Sequence, residues 1–161
     1  METWGILAAW LAPRSPELGF HWQIAPRVRL CEEAPVSRAR VARAMAWWQA
    51  LGARFRGVDD VGRCLFDADG APIAGARVAY GAITVTRSPL PEDTRTDWCA
   101  YGGVPQWAVV RLGADLPLVV EHELGHALGF AHVHRAGHVM NPSVAGLGPR
   151  TDGLAEALAA Q

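Results

Sequence analysis

Residues 118–140 read LVVEHELGHALGFAHVHRAGHVM, and the rest of the chain is best read outward from this stretch. Leu116, Val119, Val120, Leu124, Ala127 and Leu128 recur at helical spacing, with Asp115 as the expected N-cap and Pro117 in the first turn. On such a helix His122 and His126 are four apart, so their rings leave one face a turn apart and can grip one zinc ion. Glu123 stands beside the first ring, close enough to reach a water on the metal without being a ligand itself. Gly129 ends the helix where a positive φ or a close approach calls for glycine. The chain then turns back and offers His132 as a third nitrogen donor. Three neutral imidazoles leave zinc one open position and its full charge, which lowers the pKa of water. His134 and His138 compete for the third place, but each reads better as a surface or hydrogen-bonding residue.

The pattern HExxHxxGxxH is met at every fixed position by His122, Glu123, His126, Gly129 and His132. With Met140 eight residues beyond His132, the chain resembles the metzincin zinc endopeptidases. The phrase HELGHALGFAH is most similar to the matrixins and their small bacterial relatives, with MNP where those carry MYP. The resemblance implies that His122, His126 and His132 bind one catalytic Zn2+ and that Glu123 is the general base. It further implies that Met140 forms a hydrophobic floor, and that Pro142 and its neighbours wall a specificity pocket. The implied fold is the metzincin one, between α+β and α/β. It has a twisted, mostly parallel sheet, a backing helix, an active-site helix and a C-terminal helix. In that clan an antiparallel edge strand pairs with extended substrate; here it falls in residues 77–86 or in the loop that follows.

Some features depart from the family. His21 is the sole histidine before His122, so no upstream cluster exists for a structural zinc. No glutamate follows His132, which argues against an astacin, and Asn141 stands where some relatives place a tyrosine. Cys31, in PRVRLCEE, lacks the spacing of a metal-blocking switch peptide.

The 161 residues, 50% hydrophobic and 19% charged, fit one compact catalytic domain over 19–161. Residues 1–18 read as an N-terminal arm or a weak targeting segment. The apolar run there is too short to span a bilayer, and Glu2 and Pro13 make it a poor export signal. The sequence therefore leaves the location open between the cytoplasm and export by a non-standard route. All 15 basic residues are arginine, which excludes Schiff-base, P-loop and serine–lysine chemistry. Their balance against 16 acidic residues argues against nucleic acid or anionic lipid as a partner. The expected partner is a peptide or protein substrate and the expected state a monomer, with a separate inhibitor left open.

The three cysteines form no CxxC pair and read as buried or free thiols, with a Cys64–Cys99 bridge open for an exported chain. Asp67, Asp69 and Gly70 suggest calcium, but the remaining loop ligands are missing and a surface turn is the better reading. Upstream, 20–31 reads as an extended segment with Val28 and Leu30 on one face. Ser37 caps a helix over 38–51 with Val41, Met45, Trp48 and Leu51 as its apolar stripe and Arg38, Arg40 and Arg43 largely off it. Further strands are expected at 53–58, at 77–86 with Gly81 as a bulge, and at 107–112. A long loop is expected at 88–103 and a final helix from about 151 to 160. A different class, a zinc-binding scaffold without hydrolysis, is the alternative; an intact Glu123 speaks against it, since a ligand-only site needs no carboxylate there.

Overall fold

The computed structural model describes residues 16–64 and 79–161. Within them lie strands β1 (Arg27–Leu30), β2 (Val58–Asp60), β3 (Ala82–Arg87), β4 (Arg95–Tyr101) and β5 (Val104–Leu112). The helices are α1 (Arg38–Ala50), α2 (Val119–Ala127) and α3 (Leu154–Ala159). The strands form one sheet in the order β2-β1-β3-β5-β4, parallel except for the antiparallel pair of β4 with β5. This is the mixed α+β architecture of a metzincin, with α1 as backing helix, α2 carrying the histidines and α3 closing the chain.

Central parallel strands are covered on both faces and so read as continuous apolar runs. Residues 82–86 of β3 are all buried, and Ile83 and Val85 have no exposed surface. Helix α1 makes the crossover between β1 and β2. Ser37 Oγ accepts from the Arg40 amide at 3.1 Å, and Val41, Ala44, Met45 and Trp48 turn inward at intervals of three and four residues.

Several expectations change. The presumed loop at 88–103 contains the edge strand β4, which pairs with β5 from Arg95↔Arg111 to Tyr101↔Val104. Its mixture of charged and apolar residues suits a strand bonded on one side, and tertiary pairing outweighs weak local propensity. The bulge lies there, at Cys99/Ala100, whereas Gly81 is a turn residue with φ 70° ahead of β3. β2 begins where the expected strand at 53–58 ends. Helix α2 starts at Val119 after Leu118 at φ 64°, without a side-chain cap. Asp115, expected to cap it, pairs with Arg40 at 3.2 Å.

The cysteines are also rearranged. Parallel pairing sets the ends of β1 and β2 side by side, and Cys31 and Cys64, just beyond them, form a disulfide with Cα atoms 5.6 Å apart. Cys99 is free and exposed, so neither a Cys64–Cys99 bridge nor three thiols is found. The bridge closes a 33-residue loop, which on chain-entropy grounds stabilises by about 3–4 kcal/mol. The expectations for residues 1–15, for Asp67, Asp69 and Gly70, and for a strand start at 77 lie outside the described residues.

Candidate metal centre

Helix α2 enters the core through Val119, Val120, Leu124 and Ala127, all essentially inaccessible. Two links tie it to α1. The Trp48 indole donates to Glu121 O at 2.7 Å, and Arg40 makes a bidentate pair with the Glu121 carboxylate at 2.7 Å on each arm. Beneath the helix, a Cβ on Gly125 would overlap Met140 Sδ and stand 2.7 Å from Trp48 Cζ2. Glycine is what lets the fully buried Met140 lie directly under this turn.

Gly129, at φ 108°, ends the helix against Phe20 O, leaving no room for a side chain. The turn it begins is held by the segment at 17–22. Gly19 N donates to Gly129 O at 2.9 Å, Ala131 N to Glu17 O at 3.0 Å, and the Trp22 indole to Ala127 O at 2.8 Å. This strap delivers His132 to the other two rings.

The three imidazoles converge. His126 Nε2 lies 3.0 Å from His122 Nε2 and 3.1 Å from His132 Nε2. His122 Nδ1 lies 2.7 Å from Val139 O and His126 Nδ1 2.8 Å from Phe130 O. A carbonyl can only accept, so each of these Nδ1 atoms carries the hydrogen and each Nε2 presents a lone pair. Lone pairs pointed together need a cation between them. Zinc–nitrogen bonds of about 2.0–2.1 Å at tetrahedral angles would set the nitrogens about 3.4 Å apart, within a few tenths of an ångström of the spacing here. Burial lowers all three pKa values, that of His126 to about 4 with help from the neighbouring His122. The rings are therefore neutral, as ligands must be. The donor set fits one zinc ion with a backbone second shell.

Glu123 is 4% exposed, and burial pushes its carboxyl up to about 7 against the opposing hydrogen bond from Thr96. The Thr96 hydroxyl, on β4, stands 2.6 Å from Glu123 Oε2. Between β4 and the segment after Met140 runs a cleft of about 450 Å3 that reaches all three histidines and Glu123. Asn141, Pro142, Val144 and Leu147 line one side, Arg95, Thr96 and Trp98 the other.

A family model described as Matrixin matches residues 21–156. The chain belongs to the matrixin family. A matrixin with this histidine–glutamate cluster is a zinc metalloendopeptidase, and the cluster supports a single catalytic zinc site. A search of curated proteins found no match.

Every site residue expected from the matrixin motif lies at or around this centre, Met140 beneath it and Pro142 in the cleft wall. His134 and His138 stand outside the ring cluster. His138 is fully buried, accepts from Met140 N at 3.0 Å and faces Asp152 O at 3.3 Å, so it is the hydrogen-bonding residue the sequence suggested. Sequence reading missed five contributing residues: Thr96, Arg40 and its partner Glu121, Phe20 and Trp22. Arg40 looked like a surface residue off the apolar stripe, yet its side chain is 13% exposed in this matrixin. A signal was present, since Glu121 sits among apolar helix residues and a carboxylate there needs a cation. Among the described residues, no helix is long and apolar enough to cross a membrane.

Proposed function

We propose that this matrixin cleaves extended peptides in the cleft beside β4, with His122, His126 and His132 holding zinc and Glu123 as general base. The observation that carries the reading is a buried carboxylate beside three convergent imidazoles, two of them with Nε2 lone pairs fixed by backbone carbonyls, all opening on one cleft. Zinc bound there supplies a Lewis acid that polarises a carbonyl and makes water more acidic. Glu123 takes the proton of the attacking water and hands it to the leaving amine. Its elevated pKa suits both tasks, since the group must release the proton it accepts. The open side of β4 offers main-chain hydrogen bonds to an extended substrate, which aligns the scissile bond with the carboxylate. Pro142, with Val144 and Leu147 beyond it, makes an apolar wall for a substrate side chain, Met140 supports the floor of the centre, and Gly129 permits the turn to His132.

E123Q and E123A are expected to bind stoichiometric zinc and to lose hydrolysis of a denatured-protein library. Cleavage by E123A at the wild-type rate would overturn the general-base role. H132A is expected to bind zinc more weakly; an unchanged affinity removes His132 from the ligand set. Stoichiometric zinc without turnover by the wild-type protein would favour the non-hydrolytic scaffold instead.

A further inference from the structure

We infer that Thr96 is a positioning residue for Glu123, fixing the general base from the strand that borders the cleft; this rests on the general-base assignment above. The Thr96 hydroxyl stands 2.6 Å from Glu123 Oε2 and 3.0 Å from the Glu123 backbone oxygen. It has one proton, and the nearer, charged oxygen is the stronger acceptor. A glutamate reaches its carboxylate through successive torsions, the last of them broad, so a buried Glu123 without a fixed donor would spread over several orientations. Anchoring Oε2 selects one orientation and leaves Oε1 to exchange the proton.

The donor is itself rigid. Threonine is β-branched and restricted at χ1, and Thr96 is held in register opposite Val110 of β5. The next residue, Asp97, is ion-paired to the largely buried Arg111 of β5, which pins the strand beside the hydroxyl. Thr96 thus links two parts of the site that meet only in space: the strand offered to substrate and the carboxylate on α2. A hydroxyl present only to satisfy a buried acceptor would matter for stability and not for turnover, and the two roles separate experimentally.

The test compares T96V, T96A and T96S with the wild type as zinc-loaded full chains on one peptide substrate, with zinc content measured on each. T96V and T96A are expected to lower kcat roughly ten- to a hundredfold, the loss of one hydrogen bond to a charged group. KM should stay within about threefold. T96S keeps the hydroxyl and is expected to recover kcat to within about threefold of the wild type. A second readout uses metal-free protein in urea: T96V should lower the folding equilibrium constant roughly tenfold, and far less when Glu123 is already alanine. Wild-type kcat in T96V and T96A, a T96S as impaired as T96V, or equal destabilisation in both backgrounds would each overturn the positioning role. A fully active E123Q overturns the general-base reading instead, so the two failures are distinguishable.

Discussion

Replacing Arg40 by alanine tests how the histidine-bearing helix is held in place. Both guanidinium arms lie 2.7 Å from the two oxygens of Glu121, whose residue is 7% exposed. R40A leaves that carboxylate inside the protein without its cation, and breaking a buried pair in this way costs about 3–5 kcal/mol. The Arg40 side chain retains 13% exposure and also reaches Asp115 at 3.2 Å, so water can enter the space it vacates. The lower end, about 3 kcal/mol, is therefore expected. With an m-value of roughly 2 kcal/mol/M, the urea midpoint of the metal-free protein falls by about 1.5 M. Tryptophan fluorescence is a suitable probe, because the Trp48 indole is bonded to the Glu121 carbonyl. The companion variant R40M/E121M removes both charges and fills much of the space; its stability should lie within about 1 kcal/mol of the wild type. If R40A moves the midpoint by less than about 0.3 M, or if R40M/E121M is as unstable as the two single losses added together, the pair is not the buried clamp described above.

Other outcomes follow from the contacts around the centre. W22F loses the indole bond to Ala127 O and should cost about 1 kcal/mol; its zinc affinity, read by chelator competition, should fall several-fold, and no change in either would uncouple the strap from His132. G125A gains about 1 kcal/mol in helix propensity but collides with Met140 and Trp48; overpacking of this kind costs about 1–3 kcal/mol. A net loss is expected in urea melts, and a stabilised G125A would mean that Met140 moves aside freely. Burial holds the His138 pKa below the ordinary 6.5, against partial support from Asp152 and with Arg135 and Arg150 acting in the same direction as burial. The unfolded chain therefore binds this proton first, and stability falls as pH drops from about 6.5 towards the lower folded value. Compared as metal-free proteins over pH 5–8, H138N should show a shallower acid loss than the wild type; superimposable pH slopes would clear His138 of that role.

The metal ligands were legible because their geometry is local. A spacing of four on a helix, a glycine at its end and a short return to His132 are dictated by helix pitch and one positive φ, and both survive any change of surroundings. The backing helix was legible for the same reason, its cap and apolar stripe being contained within residues 37–51. The edge strand was not. RTDWCAY carries no apolar alternation, since it is bonded on one side to β5 and on the other borders the cleft. The local signal lay beyond it, in Gly102 and Gly103 at positive φ, the two-residue turn that pairs β4 with β5 over separations of three to sixteen residues. The disulfide was hidden similarly: Cys31 and Cys64 meet only because β1 and β2 run parallel, and parallel pairing leaves no turn signature between its strands.

Thr96 marks the division most sharply. In sequence it is an unremarked hydroxyl in a stretch read as loop, 27 residues from Glu123. It acquires a role only when the β4–β5 hairpin lies across from α2, a placement that no local pattern encodes. By contrast, the Glu123 carboxylate could be assigned a reaction from its neighbours on one helix turn. Motif spacing can therefore name the group that moves the proton, while the group that aims it has to be found in the packing. If T96V proves catalytically silent, that distinction fails for this protein, and the helix alone orients its base.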